Sequence, residues 1–239
     1  MSVGRETADS SPYSSLRHYG LSFAETEPRG WAKTRIMGHA FGCLRRELGF
    51  GTTLWTLARS RLLARKADGR VLASIRGRGL EDRGFIAARV EETSLAAALV
   101  ENLGMERAGK VYGRVLEQLA DEVMMELVPS AEELNAFDDP FIAFRAYLVA
   151  VLEANTRAAI HVAEVREDTE DVFAYDVTYC AYERVGAAFG DPMLCQISSC
   201  AGDDVSFPRM CAKIGARFLR KGTLASGAPC CDFRFERIR

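Results

Sequence analysis

The sequence predicts an α+β protein, a helical N-terminal half packed on a small antiparallel sheet with the C-terminal order β-β-α-α-β-β. Three observations carry that reading. Apolar residues recur at helical spacing from Trp31 to about Asn155. After that the period shortens towards two in four short segments. Glycines and prolines cluster where one pattern gives way to the next. The 239 residues, 48% hydrophobic and 27% charged, suit a soluble globular core.

Residues 1–28, rich in Ser, Glu, Pro and Gly, read as a mobile arm draped over the body. Residues 29–156 form the helical region. Trp31, Ile36, Met37, Ala40, Phe41, Leu44 and Leu48 make a first helix stopped by Gly49. Thr52 to Arg65 makes a second, with Leu54, Trp55, Ala58 and Leu62 as its apolar stripe. Gly69, Gly77, Gly79 and Gly84 mark the stretch from Lys66 to Arg83 as a loop or irregular hairpin. It lacks the strand, Lys-Ser/Thr ending and helix of a phosphate-binding loop. Ser94–Leu103 and Met105 to about Leu127 are two further helices, split by Gly104 and closed before Pro129. Asp138-Asp139-Pro140 opens another, with an acidic cap and proline in the first turn, ending near Asn155.

The cysteine-rich region 157–239 completes one compact unit with the helices. Ala158–Val165 and Val172–Val177 alternate in part and read as a hairpin across an acidic turn. Tyr179–Phe189 is a short helix, and Pro192 opens another that carries Cys195 and Cys200. Ala212–Lys221 and Cys231–Ile238 are the last two strands.

A net charge of −2 gives no global case for nucleic acid or an acidic membrane as partner. The basic stretch from Lys33 to Arg83 lacks interleaved aromatics and reads as a solvated helix face. The best apolar run, Tyr147–Leu152, is far short of the roughly 20 residues a membrane helix needs. With no apolar leader near the N-terminus, a cytoplasmic location and reduced thiols are expected. The partner expected is a small-molecule substrate, with no nucleic acid and no membrane. The oligomeric state is left open.

Of seven cysteines, all but Cys43 fall in the last 60 residues, which points to chemistry at that end. Cys180 follows the second strand and starts a helix. There the dipole and the first-turn amides favour thiolate and offer donors to a developing oxyanion. Cys200, Asp203, Asp204, Cys231 and Asp232 follow downstream, with Thr223 and Gly227 between the last strands.

These segments resemble the L-2-amino-thiazoline-4-carboxylic acid hydrolase family. The resemblance lies in Phe173-Ala-Tyr-Asp-Val-Thr-Tyr-Cys180, in Cys200-x-x-Asp203, in Thr223-Leu-Ala-x-Gly227 and in Cys231-Asp232-Phe233-Arg-Phe235. It covers about 170–239 well and the helical region only in general character. It implies a hydrolase that adds water to the C=N carbon of a cyclic amidine or thiazoline, in a bacterial biosynthetic pathway. In the named reaction the carbon between nitrogen and sulfur takes water and an N-carbamoyl cysteine results. That chemistry needs a nucleophile, for which Cys180 is preferred, and a base for water, Asp203 or Asp204. Cys200 and Cys231 join this catalytic set, and Asp232 orients a thiol or a substrate ammonium. Arg217, Arg220 and Arg234 are candidates for a substrate carboxylate, with Thr223 and Tyr179 beside them. The extra thiols Cys195, Cys211 and Cys230 depart from the family pattern.

Blander readings compete. Cys195 and Cys211 suit core filling. Asp203-Asp204 caps a turn equally well, and Thr223 with Gly227 shapes a hairpin. His18, His39 and His161 read as structural. No cofactor is expected. Cys180, Cys195, Cys200 and Cys231 offer sulfur to zinc, but no Cys-x-x-Cys pair is present. A transient disulfide among them carries similar weight. The alternative functions are a cyclase or lyase on the same scaffold, and a small-molecule-binding domain similar to 4-vinyl reductases.

Overall fold

The structure, a computed structural model, describes residues 16, 19–28, 30–122 and 128–238. Most of the predicted arm and the segment 123–127 lie outside the described residues. The helical half comprises α1 (Gly30–Leu48), α2 (Phe50–Ala64), α3 (Gly69–Gly77), α4 (Arg83–Leu103), α5 (Met105–Glu122), α6 (Ala131–Asn135) and α7 (Pro140–Arg157). Then come β1 (His161–Asp168), β2 (Val172–Cys180), α8 (Ala181–Ala188), α9 (Met193–Cys195), a π turn (Gln196–Cys200), α10 (Ala201–Lys213), β3 (Ala216–Leu219) and β4 (Cys231–Arg237). This is the α+β arrangement expected. The four strands form one antiparallel sheet in the order β1-β2-β4-β3.

Local chemistry explains the boundaries. Asp139 caps α7, its carboxylate accepting from the amides of Phe141 and Ile142 at 3.1 and 3.2 Å, with Pro140 at the first position. Ser130 and Glu133 form a reciprocal capping box at α6. Asp82 caps α4 through the Phe85 amide at 2.8 Å, so α4 starts 11 residues before the expected helix.

Two expectations fail. The glycine-rich stretch from Lys66 to Arg83 contains α3, not a hairpin. Gly69 and Gly77 are its end residues, Asp68 caps it, and Ile75 is fully buried against the start of the sheet region. Glycine at helix ends costs little, so its count misled. In α2 the stripe Leu54, Trp55 and Leu62 is 46–50% exposed. The face turned inward is Thr53, Thr56, Ser60 and Leu63. The Ser60 and Ser94 hydroxyls meet at 2.9 Å in the α2–α4 contact. Small side chains on both helices let the backbones approach closely, and the bulky residues are left outside.

The principal core lies between one face of the sheet and the helices α7 and α10. Alternation places Phe173, Tyr175 and Val177 of β2 opposite Phe235, Phe233 and Cys231 of β4, all facing inward. Phe235 is the hub, its ring 5.1–5.4 Å from those of Phe144, Phe207 and Phe218. The opposite face carries charge. A second core joins α1, α4 and α5, and a third joins α3, α4 and α8. The segment α8 to α10 lies where the cores meet. Gly186 permits this, because a Cβ there would stand 3.2 Å from the Pro192 carbonyl and 3.3 Å from the Cys195 amide. Among the described residues no helix is long and apolar enough to cross a membrane.

Replacing Phe235 with Ala should cost about 3–5 kcal/mol of stability. A urea titration should show a lower midpoint at unchanged slope. An unchanged midpoint would contradict the central position assigned to this ring.

Candidate active site

Cys180 ends β2 and is the N-cap of α8, as expected. Its sulfur is half-buried. The amides of Tyr182 and Glu183 draw its pKa down without reaching it as formed hydrogen bonds, but burial dominates and pushes the thiol well above its ordinary value. The expectation of a resting thiolate is therefore not met: desolvation outweighs the helix start.

Cys200 and Cys231 are its electrostatic neighbours. Cys231 faces inward from the first position of β4 and its sulfur accepts the Leu224 amide at 3.2 Å. Burial pushes its thiol up to about 12. The π turn adds one residue to the helical repeat and brings Cys195 and Cys200 together with sulfurs 3.7 Å apart. All seven cysteines are free thiols. Among the described residues no three His, Cys, Asp or Glu side chains are grouped to hold a metal ion.

Asp203 and Asp204 lie in the first turn of α10, within a helical run that continues from α9, and not in an open turn. Arg220 reaches back from the end of β3 and holds both, at 2.7 Å each, and its Nη2 also donates to the Cys200 carbonyl at 2.8 Å. Its side chain is only 4% exposed and its guanidinium lies 5.2 Å over the Phe233 ring. Asp203 is enclosed by protein although its side chain keeps 34% of its surface accessible. Burial raises its carboxyl to about 6 against the pull of Arg220. Asp203 and Cys231 also feel each other electrostatically.

The structure therefore brings Cys180, Cys200, Cys231, Asp203, Asp204 and Arg220 into one neighbourhood. The other candidates stand apart or brace it. Asp232 points to the loop before β4 and accepts the Lys221 and Gly222 amides at 3.0 and 2.7 Å. It anchors a loop and orients no thiol. Thr223 is buried, donates to Gln196 at 2.8 Å and accepts the Ser226 amide at 3.1 Å, tying that loop to the π turn. Gly227 closes the same turn at φ 84°, as its hairpin role requires. Arg217 and Arg234 lie on the opposite, charged face, bound to Glu236 and, for Arg234, Glu167. The Tyr179 hydroxyl is buried without a hydrogen-bond partner among the described residues, and Arg78 lies 4.3 Å over its ring.

Sequence reasoning missed Tyr182, Gln196, Arg89 and Glu92. The Tyr182 ring packs against Cys195, Cys200 and Ala225 on one side. Phe85, His161 and Phe23 surround it at 5.3–6.1 Å on the other. Burial lowers His161 to about 4, so it stays neutral. The signal for Arg89 and Glu92 was available: both fall on the stripe Phe85, Ala88, Ala96 and Leu99, where apolar residues belong.

The family model of the L-2-amino-thiazoline-4-carboxylic acid hydrolases matches residues 85–235, well over half of the chain. The chain belongs to this family. The match reaches back through α4 to α7, further than the C-terminal motifs alone indicated, and it takes in Arg89 and Glu92. No curated protein matches the chain. Among solved structures, an Fe(II) unliganded H-NOX protein from K. algicida aligns with 11% identity, covering 85% of this chain and 95% of its own, at a TM-score of 0.43. A point mutant of that protein aligns with 10% identity over the same shares at 0.40. Both likenesses are too remote to bear on the fold or ligand of this family member.

Arg220→Ala should destabilise the protein by about 2–4 kcal/mol, below the full cost of a broken buried pair because Asp204 is half-exposed. The raised Asp203 carboxyl adds a pH term. The folded state binds its proton more tightly than the unfolded chain, so stability falls as pH rises from about 4 to about 6. Asp203→Asn should flatten that slope in denaturation curves taken across the window. An unchanged slope would contradict the desolvated placement of Asp203.

Proposed function

We propose that this family member is a hydrolase that adds water to the C=N carbon of a small cyclic amidine or thiazoline, with Cys180 as nucleophile and Asp203 as base. The observation that supports it is the neighbourhood itself: the buried thiol where β2 passes into α8 has Cys231 and Cys200 as electrostatic neighbours, and Cys231 in turn has Asp203, a carboxylate still partly accessible.

A neutral thiol suits this reaction. The ring nitrogen of an amidine is basic, so it takes the Cys180 proton as the sulfur adds to the carbon between the heteroatoms. In a thiazoline the ring C–S bond then breaks. A proton from the amino group passes to the departing sulfur, and the carbon stays on Cys180 as an isothiourea. Water adds next: as its oxygen becomes the carbonyl, the isothiourea nitrogen takes one of its protons and Asp203 takes the other. The C–S bond to Cys180 breaks and the sulfur regains that proton. One water is consumed and a carbamoyl group is formed. The amides of Tyr182 and Glu183 stabilise negative charge on the sulfur as it leaves. Arg220 positions Asp203 and does not serve as a carboxylate fork, because both its ends are occupied.

Cys180→Ala should abolish turnover of 2-amino-2-thiazoline-4-carboxylate, followed as release of free thiol, while leaving the fold intact by circular dichroism. Asp203→Asn should lower kcat by about 10²–10⁴. The wild-type rate should rise with pH through about 6, where the Asp203 carboxyl gives up its proton. A Cys180→Ala protein with undiminished turnover would overturn the nucleophile. Tight ligand binding with no turnover in the wild type would favour a binding domain.

A further inference from the structure

The helix α2 is turned inside out. Its inward face is Thr53, Thr56, Ser60 and Leu63, while Phe50, Leu54, Trp55, Ala58 and Leu62 are exposed. These exposed residues recur at three- and four-residue intervals, so they form one continuous stripe along the helix. Phe50 is 60% exposed and Trp55 48%. The close contact with α4 explains why small residues face inward. It does not explain why large apolar ones face outward, where charged side chains would cost nothing. Tryptophan is highly buried on average in folded proteins. This chain has two, and both stand exposed, Trp31 at 74% in the first turn of α1. Single exposed apolar residues are ordinary, whereas a contiguous stripe marks an interaction surface.

Cations frame this stripe. Arg61, Arg65 and Lys66 are exposed at the C-terminal end of α2. Arg61 follows Leu54 and Arg65 follows Ala58 by seven residues, two helical turns, so both continue the outward face. The helix contains no acidic residue, and its remaining arginine, Arg59, is taken up by Glu101 of α4 at 2.6 Å. Residues 30–66 carry eight Lys and Arg against one acid, Glu47, in a chain whose net charge is −2. The near-neutral total, from which no membrane partner was expected, therefore averages away a strongly basic segment.

We infer that the outward face of α2 docks on an anionic lipid surface, with Phe50, Leu54, Trp55 and Leu62 entering the boundary between headgroups and acyl chains and Arg61, Arg65 and Lys66 on the phosphates. The charges decide between occupants. A second copy docking through the same face would bring two sets of cations into one interface and, from α2, no anion to meet them. A lipid surface supplies an anion to each. Tryptophan suits that boundary, with an apolar ring and one N–H for the wet side. The helix lies on the surface and does not cross it: its 15 residues fall short of the roughly 20 a span needs, and its inward face stays on α4. The inference is independent of the hydrolase reading, because no α2 residue belongs to the cysteine neighbourhood.

The test mixes the intact chain with vesicles of phosphatidylcholine alone, or of equal parts phosphatidylcholine and phosphatidylserine, and reads binding by co-sedimentation. Each Lys or Arg at an anionic surface strengthens binding roughly fivefold, so the mixed vesicles should bind the chain at least about tenfold more tightly than the neutral ones. Arg61→Gln combined with Arg65→Gln should remove most of that preference. Trp55→Ser should weaken binding several-fold at unchanged circular dichroism, since an exposed substitution leaves the fold alone. In Trp31→Phe the remaining tryptophan is Trp55, and its emission should shift to the blue on the mixed vesicles as the ring leaves water. Equal binding to both vesicles, binding that Trp55→Ser leaves unchanged, or a Trp55 emission that does not move overturns the docking surface. A wild-type dimer in lipid-free sedimentation that Trp55→Ser dissociates overturns it as well, and gives the face to a second copy.

Discussion

The Arg220 guanidinium is the constraint on which the candidate site depends. It leaves the end of β3, crosses to the first turn of α10 and meets two carboxylates and the Cys200 carbonyl. Its buried face rests on Phe233, one position from the centre of the aromatic core. One side chain thus fixes the π turn, the start of α10 and the edge of the sheet relative to each other. The π turn is what sets Cys195 against Cys200, and β4, the strand next to β3, is what presents Cys231. Without the cation, two carboxylates in one helical turn would repel each other in a desolvated setting. With it, one is held to the outside and the other faces inward at an intermediate proton affinity.

Much of the fold was legible because periodicity and caps agreed. Pro140 after Asp139 fixed the start of α7, and the alternation of Phe173, Tyr175 and Val177 fixed the inward face of β2. Where the reading failed, tertiary packing overrode a local signal. The glycines around α3 lie at its ends, which composition cannot distinguish from a loop. The stripe of α2 faces outward because Thr53, Thr56 and Ser60 allow a closer helix contact than Leu54 and Trp55 would. In the site, the cysteines and Asp203 were found by their order along the chain. The arginines needed the strand register: Arg217 and Arg234 fall on the charged face, and only Arg220, beyond the end of β3, turns inward.

The thiols illustrate how competing terms are decided. A helix N-terminus lowers a cysteine pKa when the sulfur is partly hydrated and close to the amides. At Cys180 the amides are near but not in hydrogen-bond contact, and the neighbours are other thiols and the apolar core. Neutral sulfur is the cheaper state there. Burial pushes Cys211 and Cys231 up as well, and the contact with the Cys200 sulfur together with burial pushes Cys195 up. The proposed reaction fits neutral thiols because its ligand brings its own base, the amidine nitrogen.

The same charge arithmetic recurs on both sides of Tyr182. Asp203 and Asp204 share Arg220, and Glu27 and Glu92 share Arg89. Arg220 is occupied at both ends and is not available as a fork for a substrate carboxylate, whereas Arg89 meets both of its carboxylates through one nitrogen. Both groups stay partly open to water, with Asp204 51% and Glu92 36% exposed, so solvent screens their charge in part. Under the proposed reaction, an amidine that arrives protonated is a poor proton acceptor for the Cys180 thiol. In the proposed reaction, transfer of its extra proton to a carboxylate such as Asp203, raised to about 6, would restore the basic nitrogen. A carboxyl raised towards neutrality is thus what the proposed pairing of a neutral thiol with an amidine requires, and Asp203 is the group near Cys231 and Arg220 that meets this requirement.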